Sequence, residues 1–154
     1  MPKEIPLSTV SYFICGMVEY FMENADDTEE RLKEIGYEVG IRMLEVYRFE
    51  REVHIPTLLY RVAFDLLPHV NNSDRRIEKS NTTDGTYIIM DMDGIFSRFM
   101  SVPQSWDAFC ADSVVCGLLE AAFTASGHQA DVVVFPRPTE KYPNRVVFQI
   151  SCLK

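Results

Sequence analysis

The stretch LKEIGYEVGIRMLE, residues 32–45, carries the pattern on which the fold prediction depends. Its apolar positions recur at helical spacing, and a long helix is expected from Asp27 to about Glu52, with Asp27 and Glu30 resembling a capping box. Gly36 and Gly40 lie one turn apart on one face, where each costs about 1 kcal/mol relative to alanine. We therefore expect another helix to approach closely there; the alternative is a bend in the helix.

A preceding helix is predicted from Ser8 to Met22, with Ser8 as its N-cap. Little of its surface is polar, and a helix that is apolar nearly all round is either deeply buried or buried from two sides. In a chain of 154 residues, burial from two sides indicates contact with a partner chain. Its apolar positions at helical spacing are Val10, Phe13, Ile14, Met17, Val18 and Phe21.

A third helix is predicted to begin at Pro56 and to run through Leu66, because proline suits the first turn of a helix. Pro68 ends it. The following stretch, His69–Asp84, is polar and rich in Asn and Ser, so we expect a loop with at most one short helical turn.

The second half of the chain changes to strand patterns. TYIIMDM (Thr86–Met92) and IFSRFMSV (Ile95–Val102) are predicted to pair as a hairpin across Asp93–Gly94, because an Asp-Gly pair favours a tight turn. Two further strands, Ala130–Phe135 and Arg145–Cys152, are expected at the end of the chain.

Between these strand pairs, the residues from Trp106 to Ser126 are predicted to form a helix that Gly127 caps. Helices followed by two hairpins predict a mixed α+β fold, with four or five helices on one face of a twisted, four-stranded antiparallel sheet. We expect one domain over residues 1–154, with residues 1–7 flexible.

The charge of the chain disfavours nucleic acid as a partner. The formal net charge is −8, from 23 acidic and 15 basic side chains, and such a field repels phosphate backbones. The basic residues near the C-terminus are either ordinary solvating charges or a local patch. They are Arg137, Lys141, Arg145 and Lys154.

Targeting and redox signals indicate an intracellular protein. The sequence has neither a signal-peptide pattern nor an apolar run of the roughly 20 residues that span a bilayer. Four cysteines without a CxxC pair are read as reduced thiols, with disulfides as the alternative.

The residues that carry catalytic or metal chemistry do not form a known pattern. His54, His69 and His128 are scattered, and no phosphate loop, nucleophile elbow or dinucleotide fingerprint occurs. Cys110 has no supporting signature, and Glu120 is interpreted as a carboxylate at the helix edge or paired to an arginine. We therefore predict no catalytic residue, no cofactor site and no metal site, and expect a protein that is not an enzyme.

At the level of ordered motifs, the sequence resembles the small subunits of TRAPP, the transport protein particle. LKEIGYEVGIRMLE is similar to the family's "Lxx(I/L)GxxVGxRxLE" helix. A second set of motifs resembles the family pattern "YxIxD…SVP…NCxxFxxGIxEAxLxxxGFPAxV": TYIIMD, SVP (residues 101–103) and FCADSVVCGLLEAAFTASGHQADV (residues 109–132). Among the TRAPP subunits, these motifs resemble subunit 5 most. The sister subunit 3 carries an acylated cysteine after its second helix, and Arg51–Pro56 here contains none.

The resemblance implies a non-catalytic scaffold subunit of a vesicle-tethering complex that supports ER-to-Golgi transport and nucleotide exchange on a Rab-type GTPase. It implies a heterodimer with another TRAPP small subunit through helices, an indirect contact with the GTPase, and a peripheral location on Golgi and ER membranes through the complex. The helical residues expected at the partner interface are Phe13, Met17, Phe21, Gly36, Val39, Gly40 and Met43.

An alternative comes from a different class of protein. Related prokaryotic domains of this architecture are thought to bind small hydrophobic molecules, so the chain is alternatively a stand-alone ligand-binding domain. Such a domain keeps a polar outer face on its first helix, and the apolar character of residues 8–22 therefore favours the assembly. An enzyme with an unrecognised site is the third possibility.

Overall fold

The computed structural model describes residues 5–24, 27–80, 85–94, 96 and 110–152. Its helical segments come first, and its four strands follow, with one helix between the second and third strands. The helices are α1 (Leu7–Asn24), α2 (Thr28–Val46), α3 (Ile55–Arg61) with a π-helical turn (Val62–Leu66) and a 3₁₀ turn (Leu67–His69), and α4 (Ser113–Ala125). The strands are β1 (Arg75–Lys79), β2 (Thr86–Asp91), β3 (Ala130–Pro136) and β4 (Val146–Cys152).

The sheet is antiparallel throughout, in the order β1-β2-β4-β3. On β4, Val146, Phe148 and Ile150 are buried while Gln149 is exposed, because successive side chains of a strand point to opposite faces. The buried face belongs to one core cluster together with residues of α1, α2, α3 and α4. The predicted α+β fold with a four-stranded antiparallel sheet is confirmed.

The beginnings of α2 and α3 follow the sequence signals. The Asp27 carboxylate accepts a hydrogen bond of 3.1 Å from the backbone N–H of Glu30, which confirms the predicted helix start. Pro56 lies in the first turn of α3. Beyond α3 the helical path continues through the π-helical turn, and the 3₁₀ turn that contains Pro68 ends it.

The end of α2 was predicted wrongly. The helix stops at Val46, six residues before the expected end at Glu52. Arg48 has a φ of +50°, and the backbone N–H of Phe49 donates to the carbonyl of Leu44 at 2.9 Å. This hydrogen bond closes the helix as a glycine C-cap does. Because arginine rarely adopts that conformation, the sequence carried no signal for it.

The expected loop at His69–Asp84 is wrong over residues 75–79, which form the edge strand β1. Arg75 Nε lies 3.2 Å from Asp91 Oδ2, and both side chains are almost completely buried. The hydroxyl of Ser73 also donates to Asp91. Because β1 contains a single apolar residue, Ile77, its position depends on pairing with β2 and on this buried ion pair, neither of which a local pattern reveals.

The predicted hairpin across Asp93–Gly94 is also wrong. Both edges of β2 are occupied, one by β1 and the other by β4. The backbone N–H of Gly94 donates instead to the carbonyl of Asn144, at 2.9 Å. Apart from Phe96, the segment 95–102 lies outside the described residues.

The later helix and the last two strands match their predictions more closely. α4 begins at Ser113, later than the expected start at Trp106, and residues 106–109 lie outside the described part of the chain. Gly127 follows α4 with a φ of +84°, as a C-cap glycine does. β3 and β4 lie within one residue of the predicted bounds.

The close helix approach predicted at the α2 glycines exists, and the approaching helix is α4 of the same chain. A Cβ atom added at Gly36 would lie 1.7 Å from the carbonyl oxygen of Val114. From the other side, a Cβ at Gly117 would lie 1.9 Å from the carbonyl oxygen of Lys33, and one at Gly40 would lie 2.9 Å from the nearest atom of α4. α2 continues as one helix through both of its glycines, so the alternative of a bend is not needed.

One ion-pair network joins α2, α4 and β3. Lys33 Nζ lies 2.6 Å from Glu120 Oε1 and 3.0 Å from Asp131 Oδ1. Glu120 Oε1 also accepts a hydrogen bond of 3.0 Å from the backbone N–H of Val132. Burial alone would lower the pKa of Lys33, but the hydrogen bonds and charges of the two carboxylates outweigh it and hold that pKa above its ordinary value. Glu120 is thus ion-paired, but its partner is Lys33 and not the arginine that was expected.

Alanine substitutions at the helical glycines should separate packing from helix propensity. Gly36→Ala places a methyl group against the α4 backbone, so we expect it to lower the free energy of unfolding by at least about 2 kcal/mol, as overpacking does. Gly16→Ala is the matched control, because nothing lies within 4 Å of its added Cβ, and it should stabilise α1 by about 1 kcal/mol. Urea unfolding of both variants measures the difference. A Gly36→Ala protein as stable as wild type would show that the helices do not meet there.

The network around Lys33 predicts a pH dependence. A lysine whose pKa is raised on folding contributes stability that is fully present below its unfolded pKa, about 10.4, and is lost as the pH rises through the folded pKa. Glu120→Gln removes the charge but keeps an acceptor for Val132. We expect the free energy of unfolding of wild type to exceed that of the variant between pH 7 and 10, and the difference to shrink above pH 10. A difference that is constant up to pH 11 would contradict the assignment.

Candidate partner-binding surface

The outward side of α1 is aromatic and exposed. Tyr12, Phe13 and Tyr20 are exposed to 80%, 68% and 61%. Gly16, also exposed, lies one turn from both tyrosines because positions four apart share a helix face. We call these four residues the α1 face. Monomeric proteins rarely leave so much contiguous apolar surface in water, so the α1 face is a candidate for contact with another molecule.

The inward side of α1 explains why this helix folds against the chain. Ile14 and Val18 are buried in the core cluster, and Val10, Met17 and Phe21 are half-buried against it. The helix therefore has two apolar sides, as its sequence predicted, and the chain itself covers one of them.

A second apolar surface lies at the C-terminal end of α2. Val46 is 72% exposed, and Val39 is also exposed. The ring of Tyr47 stacks on the imidazole of His69, with centroids 3.7 Å apart, which links this end of α2 to the 3₁₀ turn. An open groove of about 430 Å³, which we call the α2 groove, is lined by Glu38, Val39, Arg42, Met43, Val46 and Tyr47.

Five of the seven predicted interface residues are exposed or half-buried. Phe13 and Val39 are exposed, and Met43 is half-buried within the α2 groove. Met17 and Phe21 are the half-buried residues that pack towards the core. These five remain compatible with an outer contact surface.

Gly36 and Gly40 require a correction. Both glycines are buried, and their near neighbours belong to α4 of the same chain. The close approach that the sequence indicated is thus an intrachain contact, and neither glycine lies on the outer surface. Sequence reasoning assigned the right physical property to these positions but the wrong neighbour.

Sequence reasoning also left out three exposed residues of these surfaces: Tyr12, Tyr20 and Val46. The tyrosines lie eight residues apart, on the flank of α1 that the apolar stripe did not include. Their signal was the lack of polar residues around that helix. Val46 is the last residue of α2 and is exposed.

The exposed apolar residues concentrate in the helical first half of the chain. Among the described residues, every exposed large apolar side chain except Val133 precedes residue 65. Tyr60 and Phe64 form a further exposed pair, with ring centroids 4.9 Å apart. The distribution makes the helices, rather than the sheet, the principal candidate for protein contact.

Metal-ligating side chains are not clustered in the described part of the chain. Within that part, no group of three His, Cys, Asp or Glu side chains could hold a metal ion. Cys110 and Cys116 are buried, and burial raises the pKa of the Cys116 thiol well above its ordinary value, so this thiol stays protonated. No helix in this part of the chain is both long and apolar enough to cross a bilayer.

A small cleft on α2 has mostly acidic lining residues. It has a volume of about 190 Å³ and is lined by Glu30, Lys33, Glu34, Tyr37, Glu38 and Glu120. The Glu120 carboxylate in it is held by Lys33 and by the backbone N–H of Val132.

Comparisons with known proteins agree with this arrangement. A family model described as "Transport protein particle (TRAPP) component" matches residues 10–152. The chain is 57% identical over 144 residues to a putative trafficking protein particle complex subunit TRS31 of Encephalitozoon cuniculi, covering 94% of this chain and 99% of that protein. It is 26% identical over 138 residues to trafficking protein particle complex subunit 5 of Gallus gallus, covering 84% and 73%.

Solved structures show the same fold. The crystal structure of a trafficking protein particle complex subunit 3 from Naegleria fowleri, covalently bound to palmitic acid, has a TM-score of 0.80 at 10% identity, covering 99% of this chain and 98% of that one. An H-NOX protein of T. tengcongensis is more distant, with a TM-score of 0.57 at 12% identity. Since the family model spans nearly the whole sequence and a highly similar relative is a TRAPP subunit, this chain belongs to the family of TRAPP components.

Proposed function

We propose that the chain is a non-catalytic scaffold subunit of a TRAPP vesicle-tethering complex, and that it binds a related small subunit through the α1 face and the α2 groove. The observation that carries the proposal is the exposure of Tyr12, Phe13 and Tyr20 on a helix whose other side is already packed. Its family membership supplies the kind of complex.

The available area is suited to a stable contact. Aromatic side chains bury about 150–250 Å² each, so the three exposed rings of the α1 face offer on the order of 400 Å². A standard interface buries about 800 Å² per partner. The α2 groove and its exposed valines supply further apolar area beyond that of the rings. Aromatic residues of this kind dominate binding energy when a partner desolvates them.

The proposed role of the complex follows from the family. The assembled complex supports ER-to-Golgi vesicle transport and nucleotide exchange on a Rab-type GTPase, and this subunit contributes architecture and not catalysis. Its contact with the GTPase is indirect, and its location on Golgi and ER membranes is peripheral and depends on the complex. A net charge of −8 is in keeping with protein partners and not with nucleic acid.

The alternative, a stand-alone domain that binds a small hydrophobic molecule, has less support. Ligand pockets enclose most of their ligand, whereas the α2 groove is open and has Glu38 and Arg42 on its lining. The similar subunit 3 structure holds covalent palmitic acid, but residues 51–56 of this chain contain no cysteine, and we do not propose acyl attachment.

Replacing one exposed ring by a charge tests the interface. We expect Phe13→Lys to weaken binding to a related TRAPP small subunit by at least about 30-fold, since loss of an interface hot spot costs about 2 kcal/mol or more. The melting temperature of the free chain should hardly change, because Phe13 is 68% exposed. Co-purification and titration calorimetry with the co-expressed partner measure the effect.

Val133→Lys provides the matched control. Val133 is also exposed, but it lies on β3, away from the helical surfaces, so its substitution should leave binding within about threefold of wild type. Equal binding by wild type and Phe13→Lys would refute the assignment of the α1 face.

A further inference from the structure

Gly16 differs from the other helical glycines of the described chain. At Gly36, Gly40 and Gly117 an added Cβ would come within 3 Å of the opposing helix, so packing within the chain requires a glycine there. At Gly16 an added Cβ would meet nothing within 4 Å. Glycine in the interior of a helix is destabilising relative to alanine, and at Gly16 the chain itself gains no packing in return.

The surroundings of Gly16 give it a defined shape. Tyr12 precedes it by one turn, Tyr20 follows it by one turn, and Phe13 lies three residues before it. All three neighbours are large and exposed. The α1 face therefore combines bare backbone at Gly16 with large exposed aromatic residues one turn before it and one turn after it, and we call this site the notch.

A notch of this form is suited to a crossing helix. The distance between packed helix axes is 8–10 Å and depends on the side chains at the contact, so a glycine at the crossing point permits the closest approach. Aromatic rings on both sides would pack around the crossing helix and fix its position along α1.

We propose that a helix of a partner subunit crosses α1 at Gly16, with its backbone approaching the bare backbone of the notch between Tyr12 and Tyr20. The inference rests on the proposed function and specifies the point of contact within it.

The charges of this chain favour a different, more basic subunit over a second copy. α1 carries Glu19 and Glu23 but neither lysine nor arginine, and the whole chain has a net charge of −8. A second copy would bring like charges together, which disfavours association. The partner helix that fits therefore has a small residue at the crossing point and basic residues near Glu19.

Added volume at Gly16 tests the inference. Gly16→Leu fills the notch, and we expect it to weaken binding of a related TRAPP small subunit at least 100-fold, with Gly16→Ala giving a smaller loss of about tenfold. In the free chain both variants should raise the melting temperature by a few degrees, because helix propensity improves and nothing clashes. This opposition between stability and binding is the expected signature.

Gln149→Leu is the matched control. It adds a leucine at an exposed position of β4, away from the helical surfaces, and it should leave binding within about threefold of wild type. Isothermal titration with the purified partner and thermal melting of each free variant provide both measurements.

The other outcomes overturn the inference in distinguishable ways. If Gly16→Leu binds like wild type while Phe13→Lys does not, the crossing point is wrong and the proposed function stands. If wild type binds none of the related subunits, the proposed function itself fails. A lower melting temperature for free Gly16→Leu would show that Gly16 is packed within the chain. A homodimer of wild type that Gly16→Leu dissociates would make the occupant a second copy.

Discussion

The backbone contact between α2 and α4 is the constraint on which the rest of the fold depends. Gly36 faces the carbonyl of Val114, and Gly117 faces the carbonyl of Lys33, so each helix supplies a glycine where the other helix approaches. This reciprocal arrangement brings α2 close enough to cover α4, ten of whose thirteen residues are buried. Because α4 also packs on β3, a side chain at either glycine would displace α2 and open the core between helices and sheet.

The same constraint determines which helix surfaces remain for a partner. α2 uses its glycine face for α4, and its remaining apolar residues, including Val39 and Val46, stay at the surface. α1 contributes one side to the core, through Ile14 and Val18, and its aromatic side is exposed. The facing sides of α2 and α4 are therefore buried against each other, whereas one side of α1 is still exposed. A partner that covered this side would complete the burial of α1.

Local patterns predicted those elements whose signals are local. Hydrophobic periodicity placed α1 and the strands β2, β3 and β4, because each has its own apolar repeat, and the capping residue Asp27 placed the start of α2. The predicted N-cap of α1 was wrong, since this helix begins at Leu7 and Ser8 lies inside it. β1 was missed because it is held by a long-range ion pair between Arg75 and Asp91, and the end of α2 because Arg48 takes a glycine-like conformation. For the candidate site, the sequence predicted close helix packing at Gly36 and a partner contact at Phe13, but periodicity alone could not say which neighbour lies against each residue.

The edge of the sheet offers a reason why association would use helices and not strand addition. β3 is an edge strand in the described sheet, and such edges pair readily with other chains. The backbone N–H of Val132 on this strand donates to Glu120, which Lys33 holds in place from α2. An incoming strand would have to displace a charged side chain and break its ion pair to reach that N–H. The network that joins α2 and α4 to the sheet therefore also blocks the β3 edge at Val132, whereas the exposed apolar residues of the helices can be covered by a partner without breaking such a network.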